Sequence, residues 1–271
     1  MPELPEVETS RRGIAPVVEG QTITSVVCRV ARLRLPLPAD LSSRLSGRKI
    51  LKLDRRAKYL LFRLDIGTLL IHLGMSGHLR IVSAGTPCDR HDHVDIHLGN
   101  DTVIRFHDPR KFGLVALIGD AAEEHPLLCH LGPEPLTREF NGQSLFQRSR
   151  GRKIAVKSFI MDQQIVVGVG NIYASEALFR AGIHPLRAAG RIAATRYQLL
   201  AESIKDVLSE AIDAGGTTLR DFFDSSARPG YFRNNLLVYG CGGQPCRTCG
   251  CALKSIRIAQ RATVYCAYCQ H

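Results

Sequence analysis

The spacing of apolar positions changes character twice along the chain. After an opening Met1-Pro2-Glu3-Leu4-Pro5, residues 6–18 set Val7, Ile14 and Val18 on one face, which predicts a short helix ending near Pro16. From residue 22 onward the period falls to two. The runs 22–30, 49–53, 58–64, 68–73, 78–82, 93–98, 102–106 and 112–118 are β-rich and separated by Gly, Pro, Asn and Asp. Strands at such spacing predict an antiparallel sandwich or barrel. Gly132-Pro133-Glu134-Pro135 breaks the pattern, and helical spacing follows in 154–161, 173–181 and 195–214. The last of these aligns Leu199, Leu200, Ile204, Val207, Leu208 and Ala211, and Gly215-Gly216 stops it. The polar stretch 224–230 predicts a mobile loop, and no solenoid repeat or low-complexity segment is present.

Composition narrows the class. A chain of 271 residues suffices for about two cored domains. Its 36 Lys and Arg against 25 acids give a formal charge of +11, which points to a polyanion, nucleic acid before membrane. No apolar run nears the roughly 20 residues of a membrane span, and the N-terminus lacks a signal-peptide pattern, so a cytosolic protein is expected. Six of the nine cysteines crowd into residues 241–269, and the odd count favours metal binding in a reducing compartment over a disulfide framework.

The strongest local motif is Cys246-x2-Cys249, sixteen residues, then Cys266-x2-Cys269. Two such pairs present four thiolates for one tetrahedral Zn2+, structural because no position is left open for water. The tail 237–271 is too short to bury a core of its own, so the metal is expected to hold it folded. Cys241 and Cys251 stand outside that symmetric spacing, as bystander thiols or as substitutes for a ligand in a misassembled or oxidised form. Between the pairs, Arg261 on a basic turn suits phosphate oxygens, or is a solvated surface arginine. Gly168-Val169-Gly170-Asn171 opens a helix, where free N–H groups bind anions, or where Asn171 is an N-cap.

At the other end, removal of Met1 makes Pro2 a secondary amine with a pKa of roughly 8, partly neutral and nucleophilic at neutral pH. Such an amine can attack the anomeric carbon of a sugar to give an iminium, with the Glu3 carboxyl beside it to move protons. The competing reading is a helix lead-in with Pro and acids in the first turn. Lys58 introduces an alternating strand, facing a cleft or solvent. His72 follows an apolar strand, the position of a satisfied core histidine. Met75, Arg110 and Phe112 sit on glycine-flanked turns, where apolar side chains wedge into a base stack or pack in a core.

Taken together these pieces resemble the formamidopyrimidine-DNA glycosylase family along essentially the whole chain. The likeness rests on residues 1–8, Arg56-Ala57-Lys58-Tyr59, His72-Leu73-Gly74-Met75-Ser76-Gly77, His91-Asp92-His93-Val94-Asp95, Asp108-Pro109-Arg110, Leu131-Gly132-Pro133-Glu134-Pro135-Leu136, residues 168–176, Pro229-Gly230-Tyr231-Phe232 and Gln260-Arg261-Ala262-Thr263. It implies an α+β fold: an N-terminal antiparallel β-sandwich with an N-terminal helix, then a helical domain with a helix-two-turn-helix motif and a zinc-finger hairpin. The expected limits are 1–131 for the sandwich, 132–150 for a linker, 151–236 for the helical domain and 237–271 for the finger.

The resemblance implies a monomeric base-excision enzyme acting on double-stranded DNA with damaged purines, 8-oxoguanine or formamidopyrimidines, flipped from the duplex. Pro2 attacks C1′, Glu3 manages protons on the sugar, and β- and δ-eliminations follow. Lys58 and Arg261 contact phosphates and donate protons, while His72 and Asn171 join the phosphate grip. His91, Arg110 and Arg152 match other DNA-contact positions. Met75, Arg110 and Phe112 match the trio that fills the hole left by the extruded base, and residues 217–232 match a loop that closes over that base. Lys111 stands where a second arginine is frequent, and Cys241 and Cys251 depart from the family's zinc pattern. Two alternatives are an endonuclease VIII-type glycosylase for oxidised pyrimidines and a zinc-ribbon DNA-binding protein without catalysis.

Overall fold

The structure, a computed structural model, describes residues 2–217 and 232–271. The chain divides into two compact units, Met1–Cys129 with Ala214–Tyr231, and His130–Asp213 with Phe232–His271.

The first unit opens with helix α1 (Leu4–Val18). The sequence places its end near Pro16, but the helix runs on to Val18. Pro16 sits on the exposed face, as does Arg12, whose carbonyl loses its helical partner and can turn to water. Strands β1 (Ile23–Cys28), β2 (Ile50–Arg56), β3 (Tyr59–Leu64), β4 (Gly67–His72), β5 (His78–Ser83), β6 (Asp92–Leu98), β7 (Thr102–His107) and β8 (Leu114–Ile118) follow, with a short helix α2 (Leu41–Leu45) after β1. They form two four-stranded sheets, β1-β6-β7-β5 and β2-β3-β4-β8, with every pairing antiparallel. The sandwich is therefore realised. Phe62, Leu69, Ile71, Leu79, Ile96, Ile104 and Phe106 fill its core, joined by Val7, Ile14 and Val18 of α1. Helix α1 packs on β2 and β3, and β3 and β4 are buried at four and five of their six positions, as strands covered on both faces are.

In the second unit, α3 (Gly142–Ser149) falls inside the stretch that the sequence gives as linker. Its N-terminus is capped by Asn141, whose Oδ1 accepts the Ser144 N–H at 2.9 Å. Then come α4 (Val156–Ile160), α5 (Asn171–Arg180) and α6 (Ala194–Asp213), the last packing on both α3 and α5. Tyr173, Tyr197 and Phe159 are buried at its centre, and the Tyr197 hydroxyl donates to the Ala189 carbonyl at 2.9 Å. The hairpin β9 (Lys254–Ile258) and β10 (Arg261–Tyr265) completes it. Glu176, fully buried in α5, accepts the backbone N–H groups of Leu237, Val238 and Tyr239 at 2.8, 3.0 and 2.8 Å. One carboxylate thereby fixes where the chain enters the hairpin region.

Candidate functional site

Pro2 and Glu3 are both buried, immediately ahead of α1. Glu3 is the N-cap in extended conformation and shares a capping box with Glu6, whose Oε2 accepts the Glu3 backbone N–H at 2.9 Å. Glu6 is only 2 % exposed, and its Oε1 accepts the Thr217 N–H at 2.8 Å. One turn on, Glu8 receives Arg11, Arg12 and, from β2, Arg55 at 3.0 Å. Burial raises the Glu8 pKa, but Arg11 and Arg55 outweigh it and hold the carboxyl below its ordinary range. The helix that carries the chain end is thus bolted to the sheet beneath it.

Lys58 lies in the two-residue turn Ala57-Lys58, between Arg56 and its partner Tyr59, rather than on the strand expected from residue 58. Ala57 takes a φ of 53°, and its carbonyl accepts Arg55 Nη1 at 2.9 Å. Across the sheet His72 faces Tyr59, with ring centroids 4.9 Å apart. Burial, then the charges of Lys58 and Arg34, lower the His72 pKa to about 4. Its Nδ1 accepts the Gly74 N–H at 3.0 Å, so at neutral pH the ring is uncharged and Nε2 carries the donor proton.

Two turns beyond His72 are built as one body. A Cβ on Gly74, at φ +70°, would lie 2.5 Å from Gly113 N and from the Phe112 carbonyl carbon, so only glycine lets the backbones meet. Asp108, fully buried, accepts the Gly113 N–H at 2.7 Å and the Ser76 hydroxyl at 3.4 Å. On this base Met75 and Phe112 stand 39 % and 46 % exposed, outside the core, and the Arg110 guanidinium lies 5.0 Å from the Phe112 ring centre. His91 is tied to the same turn, its carbonyl accepting the Asp108 N–H at 2.9 Å.

In the second unit Asn171 is the first residue of α5, and Gly170 occupies the N-cap. Instead of capping, Asn171 Nδ2 donates to the Ala262 carbonyl at 3.0 Å, while its Oδ1 is buried without a hydrogen-bond partner. Lys157, 1 % exposed, reaches the same strand through Thr263 Oγ1 at 2.8 Å. Two side chains thus graft the hairpin onto the starts of α4 and α5. At its tip Ala259 and Gln260 both take positive φ, 45° and 62°, the twist of a tight hairpin turn, and exposed Arg261 follows. Arg152 is exposed just past α3.

Cys246, Cys249, Cys266 and Cys269 bring their sulfurs within 4.8 Å of one another, with Cys246–Cys269 at 3.9 Å and Cys249–Cys266 at 3.4 Å. A tetrahedron with metal–sulfur bonds of about 2.3 Å has edges of about 3.8 Å, so the four are positioned to bind a metal ion. Burial raises the Cys246 thiol, but backbone N–H groups of Cys249 and Thr248 bring it down to about 7. Cys269 is pushed up by burial and by the neighbouring thiols.

The sequence assigns no role to Glu6, Asp108, Lys157, Glu176 or Arg34, though the first two and Glu176 lie in motifs that carry the resemblance. Lys157 also leaves a trace, as a cation inside the apolar run Ile154-Ala155-Val156-Lys157-Ser158-Phe159-Ile160. The loops expected at 224–230 and, from residue 218 to 231, at 217–232 lie outside the described residues.

An antiparallel sandwich with Pro2 and Glu3 buried ahead of its first helix, a helical unit and a four-cysteine hairpin make up the architecture of a DNA glycosylase, as the comparisons with known proteins show. Models of the formamidopyrimidine-DNA glycosylase N-terminal domain and of its H2TH domain match residues 1–115 and 131–223. Formamidopyrimidine-DNA glycosylases of Pseudomonas savastanoi and Pseudomonas aeruginosa are 57 % and 59 % identical over 270 residues, covering all of both chains. Among solved structures, MutM (Fpg) of Thermus thermophilus is 39 % identical with a TM-score of 0.88, over 99 % of this chain and 98 % of that one. Lactococcus lactis Fpg in complex with abasic-site DNA is 34 % identical with a TM-score of 0.92, over 99 % of both chains. The chain belongs to the formamidopyrimidine-DNA glycosylase family.

Proposed function

We propose that the protein is a bifunctional base-excision enzyme that removes oxidised purines, 8-oxoguanine and formamidopyrimidines, from double-stranded DNA and then cuts the strand. The observation that carries this is the buried Pro2-Glu3 pair at the head of α1. Once Met1 is removed, Pro2 is an amine in a desolvated position, where burial disfavours the ammonium and raises the neutral fraction. Its nitrogen attacks C1′ of the damaged nucleotide; the C1′–base bond breaks with its electron pair leaving on the base. The nitrogen's proton passes to the departing base; the nitrogen lone pair then expels the ring oxygen, which takes its proton from Glu3 as the C1′–O4′ bond breaks, and an iminium between Pro2 and C1′ remains. That cation acidifies the 2′ C–H, whose loss expels the 3′ phosphate, and a second elimination expels the 5′ phosphate.

The other residues serve this step. Lys58 and Arg261 meet phosphates around the lesion and supply protons, with His91 and Arg152 extending the contacts. His72 joins the phosphate grip as a neutral donor, consistent with its pKa of about 4. Asn171 does so from the start of α5, where the hydrogen bond from its Nδ2 to the Ala262 carbonyl holds the amide plane against the hairpin. Met75, Arg110 and Phe112, exposed on turns locked backbone to backbone, fill the space left by the flipped base, Arg110 toward the orphaned cytosine. Cys246, Cys249, Cys266 and Cys269 hold one structural Zn2+, which supplies the finger with folding energy and takes no part in the reaction. The protein works as a monomer in the cytoplasm; no helix among the described residues is long and apolar enough to cross a membrane.

Borohydride trapping on duplexes carrying 8-oxoguanine opposite each of the four bases, with thymine glycol as control, tests the reading. A covalent adduct mapped to Pro2, formed faster on the purine lesion, is expected. Preference for thymine glycol would move the enzyme to oxidised pyrimidines, and no adduct on any lesion would leave a DNA-binding protein.

A further inference from the structure

We propose that Glu6 is a positioning residue for the chain-end amine: its carboxylate ties the chain returning at Gly216–Thr217 to the Pro2–Glu3 peptide and thereby aims the Pro2 nitrogen. The inference rests on the assignment of Pro2 as nucleophile.

A helix cap needs only one Glu6 oxygen, and Oε2 serves it through the Glu3 N–H. Oε1 is spent on the N–H of Thr217, 211 positions away in sequence. The returning chain lies directly on this side chain. Gly216 has φ +83°, and a Cβ there would stand 3.3 Å from Glu6 Cγ and Oε1. A carboxylate 2 % exposed must have its oxygens met by donors, so its orientation is set by where those donors are.

The link to reactivity is covalent geometry. The Glu3 N–H lies in the planar peptide that also contains the Pro2 carbonyl and Cα, so fixing the direction of that N–H fixes the plane. The pyrrolidine ring restricts rotation about its own N–Cα bond, leaving rotation about Cα–C as the main freedom between the plane and the ring. An error at Glu6 therefore passes to the Pro2 nitrogen almost undamped, and misplacement of a nucleophile by about 1 Å can cost on the order of a hundredfold in rate.

Glu6→Gln keeps the shape but offers one acceptor oxygen, so one of the two N–H groups meets an NH2 instead. Gly216→Ala keeps Glu6 and disturbs the tie from the other side. Both are assayed in the mature full-length protein by single-turnover borohydride trapping, by dissociation constant for the lesion duplex, by the pH–rate profile and by thermal unfolding. The expected result is adduct formation slowed about tenfold or more in both variants, an altered acidic limb of the pH–rate profile, and affinity within about twofold of the parent. Adduct formation at the parental rate, or losses of rate and affinity in equal proportion with a collapse in melting temperature, would overturn it. If the parent itself forms no adduct at Pro2, the nucleophile assignment fails first, and the two failures are distinguished.

Discussion

The groups proposed for bond breaking in the first unit and those proposed for the phosphate grip in the second differ in burial. In the first, the residues proposed for the bond-breaking step are sunk, with Pro2, Glu3 and Glu6 buried and His72 held neutral, while Met75, Arg110 and Phe112 stand exposed on their turns. In the second, Arg261 and Arg152 stand in solvent, and the buried residues Lys157 and Glu176 hold the platform that presents them. The difference follows from the tasks. A nucleophilic amine gains from losing water, because desolvation favours its neutral form, whereas a phosphate grip must meet a polyanion that arrives hydrated and surrounded by counterions. On the proposed assignment the Pro2-Glu3 pair is buried and the hairpin's Arg261 is exposed, with His72 a neutral, desolvated member of the grip.

The comparison can be broken most decisively at the chain end. One residue added ahead of Pro2 should cut trapped adduct by on the order of a thousandfold or more, with lesion binding retained, since a peptide nitrogen is no nucleophile. Adduct at the parental level would remove the first unit's role. Next in size is Cys249→Ser, expected to take the protein from one bound zinc to none by elemental analysis and to weaken duplex binding about a hundredfold. Unchanged metal content would dismiss the assigned ligands. Salt sharpens the contrast: affinity should fall steeply between 50 and 200 mM salt, with Arg261→Ala lowering the slope of log K against log salt by about one and Glu3→Gln leaving it unchanged. Equal slopes in all three proteins would deny the second unit its phosphate contact.

The smallest effect is on stability. His72 and His78 are lowered to about 4 by burial, against an ordinary value of 6.5. The unfolded chain takes up these protons first as pH falls. The stability they contribute is thus whole above pH 6.5 and drains between there and about 4, each pKa unit being worth about 1.4 kcal/mol. Denaturant titrations at pH 7 and pH 5 should show a loss that His72→Gln reduces; an identical loss in the variant would mean that the folded protein already accommodates the His72 proton.

The eight strands were legible because short apolar runs, unbroken in β3 and β4, are set off by turn residues, and the four cysteines because their spacing is the geometry of the site. Helix α3 was not: its eight residues carry few apolar positions and lean on the Asn141 cap. Lys58 looked like the first residue of a strand because nothing local announces a turn closed by a non-glycine at positive φ. Asn171 kept an ambiguous place, its partner Ala262 lying 91 positions away. Glu6 and Asp108 were invisible in their roles for the same reason: a carboxylate that braces distant backbone has no local pattern of its own.

Glu176 also bears on how a chain is made and policed. Its donors lie 61 to 63 positions downstream, so during synthesis the carboxylate emerges well before the amides that satisfy it. A product truncated ahead of residue 237 would leave a charge inside the helical unit with none of these three N–H groups, a penalty a marginally stable domain can ill absorb. Incomplete copies, which would lack all four cysteines, are thus prone to unfold and be degraded instead of competing with finished molecules for DNA.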